Sequence, residues 1–230
     1  MLSTIFALGA PAGGSAPATV TLNDGTKMPM ISLGTWQYNS SLAEEVVTLG
    51  LSLGFTHIDT ANDYRNQDGV GRALQKVPRD SFYLTTKVPS QEHKIHAYSG
   101  TTVDLYENMK FLGLDYVDLV LIHFPPRGQS TAKSCPAIQE QWRAMEDFLK
   151  AGKTKTIGVS NYCPSTFECL LEKATVVPAV NQVQYHIGMG TDPIGLISYC
   201  KSKNITLQAY SPLGDGKGEL ITGELVTGIG

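Results

Sequence analysis

The chain has 230 residues, 42% of them hydrophobic and 17% charged, enough to bury a sizeable core in one domain or two. A formal charge of −3 and a pI near 5.9 give no pull toward nucleic acid or an anionic membrane, and no apolar run approaches the roughly 20 residues that span a bilayer. Cys135, Cys163, Cys169 and Cys200 are scattered, without a CxxC pair or metal-ligand spacing. Reduced thiols in a reducing compartment, hence a cytoplasmic protein, are the expectation.

In chain order, residues 1–18 come first, small and apolar with several Ala, Gly and Pro. Leu2 to Leu8 could form a short signal-peptide core with a cleavage site at Ala16-Pro17-Ala18. No Lys or Arg precedes Lys27, however, so the basic leader is missing, and a disordered extension is expected. Thr19 to Leu22 and Met28 to Met30 flank Asn23-Asp24-Gly25, a hairpin turn signal. Further strands are expected at Ile31–Thr35, Thr56–Asp59, Phe82–Lys87, Val117–Ile122, Thr156–Val159, Val180–Val183 and Ile205–Tyr210. Helical patterns lie between them. Ser41–Leu53 has apolar positions at Leu42, Val46, Leu49 and Leu53. Thr102–Leu112 and Ala137–Leu149 follow, the latter closing near Gly152 as a C-cap. Pro164-Ser165-Thr166 opens another, and Pro193–Lys201 is the last.

This alternation suits either a doubly wound sheet or a (β/α)8 barrel. No G-x-G-x-x-G follows an early strand, which argues against a dinucleotide-binding doubly wound fold. Asp59, Lys87, His123, Ser160 with Asn161, Gln182 and Tyr210 each fall at or just beyond a strand's C-terminal end, the face where barrels build their active sites. The barrel is the expected fold.

Asp59 and Lys87 end neighbouring strands, about 4.8 Å apart, so an ion pair between them is natural. Such a pair could be purely structural, and the residues alone leave that even. Tyr64 lies in the loop after Asp59. A nearby ammonium would lower its pKa and make the phenol a usable general acid. His123 falls on the same face and could donate from a ring nitrogen to a carbonyl oxygen. His57 is expected to point the other way as a structural residue. His93 and His96 are placed in a polar loop, and His186 stays ambiguous. No three His/Asp/Glu residues show metal-hydrolase spacing, so no metal site is expected.

On these residues the chain resembles the aldo-keto reductase family. Gly54-Phe55-Thr56-His57-Ile58-Asp59-Thr60-Ala61, Tyr64 and Gly69-Val70-Gly71-Arg72-Ala73-Leu74 resemble one signature. Leu112-Gly113-Leu114-Asp115-Tyr116-Val117-Asp118-Leu119, running on to Ile122-His123-Phe124-Pro125, resembles a second. Gly158-Val159-Ser160-Asn161-Tyr162, Asn181 to His186 and Ala209 to Gly214 match as well. The resemblance covers residues 19–230 and implies a TIM-barrel reductase of aldehydes or ketones that uses NADPH/NADP+. Tyr64 would be the proton donor, Lys87 paired with Asp59 would lower its pKa, and His123 would orient the carbonyl. Gly34, Thr35, Asp59, Ser160, Asn161, Gln182, Tyr210, Ser211, Pro212, Leu213 and Gly214 would contact the cofactor. Ser160, Asn161 and Gln182 would hold the nicotinamide carboxamide, and Tyr210 would stack on the ring. Trp36 and Phe124 would line the substrate pocket beside Tyr64 and His123, although either aromatic could be ordinary packing.

Gln67 stands where the family usually has Glu, and Phe124 where it frequently has Trp. The family also continues past residue 230 with a seventh helix, an eighth strand and its helix, and with the basic motif that grips the adenosine 2′-phosphate. The expectation is therefore an incomplete barrel from a truncated gene model or fragment, its partner a small carbonyl compound and its state monomeric. Two other readings stay open: a non-catalytic relative that binds a nicotinamide nucleotide to regulate a partner, and an inactive fragment.

Overall fold

The computed structural model describes residues 17–126, 131–214, 223 and 228. The expected extension before Pro17, part of the loop after Pro126 and the seventh helix after Gly214 lie outside the described residues, residues 223 and 228 apart.

The hairpin forms as its turn residues dictate. Strand β1 (Thr19–Thr21) pairs antiparallel with β2 (Lys27–Pro29), Val20 opposite Met28. Gly25 takes the turn's left-handed position at φ 85°, which a side chain would strain. Seven parallel strands follow: β3 (Leu33–Gly34), β4 (His57–Asp59), β5 (Tyr83–Val88), β6 (Val117–Ile122), β7 (Thr154–Ser160), β8 (Val180–Gln184) and β9 (Thr206–Tyr210). They lie side by side in chain order, each next to its sequence neighbour. Between them run α1 (Ser40–Ser52), α2 (Gln67–Leu74), α3 (Lys94–Leu112), α4 (Thr131–Lys150), α5 (Pro164–Leu171) and α6 (Leu196–Ser202). Sequential parallel strands with a crossover helix at each step are the (β/α)8 plan, here with seven strands among the described residues and β3 and β9 at the edges.

Two cores follow from strand alternation. Tyr83, Leu119, Leu121 and Val180 face inward and pack with Leu22 and Met28 of the hairpin, which plugs the strands' N-terminal end. Ile58, Leu84, Val120, Ile122 and Val159 face outward onto the helices, against Trp142, Met145 and Phe167 among others. Plugging one end leaves the opposite end for polar side chains.

Several expectations need correction. Helix α2 was not foreseen, because Gly69 and Gly71 weaken its helical pattern. Their lack of side chains is what lets the helix dock: a Cβ on Gly71 would come 2.5 Å from the Leu112 carbonyl oxygen. Helix α1 is capped by Asn39, whose Oδ1 accepts from the Leu42 amide at 2.9 Å, not opened by Ser41. Its buried face is Ala43, Val47 and Gly50, whereas Leu42, Leu49 and Leu53 are exposed. Small residues allow a closer approach than a Leu stripe, and they win. Helix α3 begins at Lys94, so His96 is helical and His93 is the N-cap residue. Helix α4 begins at Thr131 and carries Pro136 inside, near enough to the start that only an early-turn hydrogen bond is forfeited. The expected strand Ile31–Thr35 shrinks to Leu33–Gly34, and Pro193–Gly195 is a separate 3₁₀ turn before α6.

The cysteines differ most. Cys135 of α4 and Cys169 of α5 form a disulfide, their Cα atoms 5.7 Å apart, while Cys163 and Cys200 are free. The cytoplasmic expectation rested on reduced thiols, and the bridge removes that ground. Among the described residues no helix is long and apolar enough to cross a membrane.

Candidate active site

Asp59 closes β4 and Lys87 lies in β5, both facing inward. Lys87 is 1% exposed, so its ammonium must find partners for all three donors. It does: Nζ forms an ion pair with Asp59 Oδ1 and donates to the Thr60 carbonyl (3.1 Å) and the Tyr64 phenol oxygen (3.2 Å). The second Asp59 oxygen accepts from Gln182 Nε2 at 2.6 Å, which reaches across from β8. Tyr64 ends the 3₁₀ turn 62–64, and because its oxygen accepts from Lys87, its own O–H remains to be donated.

The Tyr64 pKa runs opposite to the sequence expectation. Burial pushes the phenol up, and Lys87 only partly offsets it. The phenol therefore stays protonated across neutral pH. For Lys87, burial works against the charge, but the Asp59 carboxylate and the Tyr64 oxygen beside it outweigh this and raise its pKa.

His123 follows β6 and packs edge-on against Tyr64 (centroids 5.6 Å apart) and stacked on Phe124 (4.7 Å). Burial first and Lys87 second drop its pKa to about 4, so the ring is neutral at pH 7. Its Nδ1 meets the Asp63 carboxylate at 3.0 Å. Sequence reasoning assigned Asp63 no role, and no sequence signal ties it to a histidine sixty residues away.

His57 faces inward like Asp59, not away from it as expected, because residues two apart share a strand face. It is nonetheless structural. Nδ1 donates to the Pro29 carbonyl (3.0 Å) and Nε2 accepts from the Thr85 hydroxyl (2.8 Å), tying the sheet to the hairpin. His186 accepts from the Gly188 amide and caps a 3₁₀ turn. Gln67 proves a good substitute for an acid. It accepts from Thr86 (2.7 Å) and donates to Asn108 (2.6 Å), which in turn donates to the Lys87 carbonyl (3.1 Å). A neutral amide fills both roles, and a carboxylate could fill only the accepting one.

Above this network lies a cavity of about 970 Å³, within the range of small-molecule and cofactor sites. Trp36, Tyr64, His123 and Phe124 line it, as do Gly34, Asp59, Ser160, Asn161, Gln182, Tyr210, Ser211 and Pro212. Thr35 does not; it is buried, its hydroxyl donating to the Asp59 carbonyl (3.2 Å). Leu213 is turned to solvent, and Gly214 is buried away from the lining. Trp36 is 52% exposed, an aromatic at the mouth and not a packing residue.

Amides and hydroxyls also line the cavity. Asn161 sits at φ 62°, a left-handed conformation held by its contacts: Nδ2 donates to the His123 carbonyl and to Ser160 Oγ (both 3.0 Å), and Oδ1 accepts from the Tyr210 hydroxyl (2.9 Å). Ser211 is also left-handed at φ 49°. Such strain is concentrated where a ligand is gripped. The Ser160 hydroxyl and the Asn161 and Gln182 amides line the cavity beside the Tyr210 ring, held in place by hydrogen bonds to one another and to Asp59 and Gln208.

A family model described as the aldo/keto reductase family matches residues 30–219. Among curated proteins, glycerol 2-dehydrogenase (NADP(+)) of Saccharomyces cerevisiae is 37% identical over 88% of this chain and 70% of its own length. Glyoxal reductase of Bacillus subtilis is 36% identical over 92% and 72%. Among solved structures, an aldo-keto reductase from a Medee basin deep-sea metagenome library superposes with TM-score 0.80 at 35% identity, over 92% of this chain and 74% of that one. The Bombyx mori aldo-keto reductase in complex with NADP does so at 0.74 and 30%, over 86% and 67%.

Proposed function

This chain belongs to the aldo/keto reductase family, and from that premise we propose that it reduces aldehydes or ketones to alcohols with NADPH, Tyr64 being the proton donor. One observation carries the reading. A buried ammonium, fully partnered by Asp59, Thr60 and the Tyr64 oxygen, leaves a protonated phenol facing a cavity large enough for cofactor and substrate.

The geometry supports the following roles. Ser160, Asn161 and Gln182 would hold the carboxamide of the nicotinamide, with the Tyr210 ring alongside. NADPH, when bound, supplies the hydride. Tyr64 donates its proton to the carbonyl oxygen as charge develops there, and Lys87 stabilises the phenolate left behind, its own charge balanced by Asp59. Preorganisation matters because none of these groups has to leave water at the moment of reaction. Trp36 and Phe124 give the substrate apolar walls. The same reading takes residues 19–230 as one barrel domain acting as a monomer on a small carbonyl compound.

The test is NADPH oxidation by the purified chain across a panel of aldehydes and ketones, with Tyr64→Phe beside it. Turnover in the parent and a loss of 10²-fold or more in the variant is the expected result. A panel without turnover, or full activity in Tyr64→Phe, would sink the reading.

A further inference from the structure

Tyr64 and Lys87 stand on separate segments, and one buried amide grips both. Tyr64 ends the 3₁₀ turn 62–64, Lys87 lies in β5, and Asn108 of α3, 1% exposed, reaches both segments. Its Nδ2 donates to the backbone carbonyl of Lys87 itself at 3.1 Å. Its Oδ1 accepts from Asn62 Nδ2 (3.0 Å), two residues before the tyrosine, and from Gln67 Nε2 (2.6 Å) at the start of α2.

The orientation of this amide is determined by its neighbours. The Thr86 hydroxyl donates to Gln67 Oε1 (2.7 Å), so Gln67 turns its NH₂ toward Asn108. Two donors then converge on one side of Asn108, which must be its oxygen, and its NH₂ is left for the Lys87 carbonyl. A flipped amide would set acceptor against acceptor at Lys87 and donor against donor at Asn62 and Gln67. The tyrosine turn depends on such a hold. Arg65, next after Tyr64, takes a left-handed φ of 55°, a conformation that persists only where the surroundings fix it. Its amide donates to the Asn62 carbonyl (3.1 Å), so the residue that closes the turn is the one Asn108 grips. A further side-chain tether of the turn, Asp63 to His123, leads to the end of β6 and not to Lys87.

We propose that Asn108 is a positioning residue for proton transfer: by holding Asn62 and the Lys87 carbonyl together, it sets the separation of the Tyr64 oxygen from the Lys87 ammonium. The kinetic half of the proposal rests on the reductase reading, and the structural half stands without it. The separation has little slack, since 3.2 Å is already at the long end of the usual N–H···O range. A shift of a few tenths of an ångström weakens the contact that stabilises the phenolate, and misplacement of reacting groups by about 1 Å can cost about 10²-fold in rate.

The test combines crystal structures and steady-state kinetics of the 230-residue chain carrying Asn62→Ala or Asn108→Ala. Two variants are needed because Asn108→Ala strands Gln67 Nε2 and the Lys87 carbonyl inside the protein and can prevent folding. Asn62→Ala, at a half-buried turn position, removes only the tether to the tyrosine. In Asn62→Ala the Lys87 Nζ to Tyr64 oxygen distance should open beyond about 3.5 Å. Its kcat for NADPH-dependent reduction should fall about tenfold, with KM for NADPH and aldehyde within about twofold of the parent. Placed in a Tyr64→Phe background, the same substitution should cause no further loss, because the group it positions is gone. A separation unchanged at 3.2 Å, or an equal fall in both backgrounds, would overturn the proposal. If the parent reduces no aldehyde, the reductase reading fails and takes the kinetic half with it, while the measured separation still decides whether Asn108 sets the pair.

Discussion

Replacing Lys87 with Met separates what the buried ion pair does for the fold from what it does for the chemistry. Met keeps the apolar stem and removes the ammonium, leaving the Asp59 carboxylate with Gln182 Nε2 alone and the Thr60 carbonyl and Tyr64 oxygen without their donor. Deleting one partner of a buried pair costs about 3–5 kcal/mol, since the surviving charge stays desolvated. For a chain of this size that corresponds to a drop of roughly 6–20 °C in melting temperature. Adding Asp59→Asn removes the orphaned charge, and the new amide oxygen can still accept from Gln182 Nε2. The double variant should therefore recover about 2 kcal/mol, a coupling expected only between residues in direct contact. Activity should behave otherwise. Lys87→Met should lose about 10²- to 10⁴-fold in NADPH-dependent turnover, and Asp59→Asn should not restore it. Thermal unfolding and steady-state kinetics on the three variants complete the cycle. If the double variant is as unstable as the two single effects added together, the pair is not coupled and the reasoning fails. If stability and activity recover together, Lys87 serves the scaffold only.

Two further outcomes follow from the packing. The Cys135–Cys169 bridge closes a loop of 34 residues' separation, worth about 4 kcal/mol in denatured-state entropy. Reductant, or Cys135→Ser, should then lower the melting temperature by roughly 8–16 °C in scanning calorimetry, and an unchanged transition would show that the bridge does not form in solution. His57 and His123 both have folded pKa values below 6.5, burial being the largest cause for each. Between about 6.5 and about 4 the unfolded chain binds more protons than the folded one, so stability is full above 6.5 and falls as pH drops through that window. His123 alone accounts for about 3 kcal/mol of the loss, and urea unfolding at stepped pH should show it; a flat profile from pH 7 to 4 would contradict the buried neutral rings.

The parts of this molecule that were legible from sequence are those that obey a period. The expectation that Asp59, Lys87, His123 and Gln182 share one face rests on strand alternation, and in the structure Asp59, His123 and Gln182 line one cavity with Lys87 paired to Asp59. What escaped depended on contacts between distant segments. The expected α1 face follows leucines that prove exposed while Ala43, Val47 and Gly50 dock, and α2 escapes the pattern because its glycines serve close approach at the expense of helical propensity. The disulfide pairs cysteines on two helices whose packing, not spacing, brings them together. His57 shares Asp59's face, contrary to expectation, because residues two apart on a strand point the same way.

The Tyr64 result bears on how the site works. Sequence reasoning took Lys87 as a group that depresses the phenol pKa, yet burial raises it further than Lys87 lowers it. A general acid must hold its proton before the reaction and give it up during it, and the two demands fall on different states. In the resting site the low dielectric keeps Tyr64 a neutral phenol, loaded at physiological pH. Were its proton to pass to a substrate oxygen, as proposed, the phenolate would find an ammonium already 3.2 Å away, anchored by Asp59 and Thr60 and needing no rearrangement. On the proposed reading Lys87 would act on the transition state and product, where the negative charge appears, while in the resting acid it only partly offsets the effect of burial. This is the differential stabilisation that raises a rate, whereas a phenol already ionised at rest would have no proton to give.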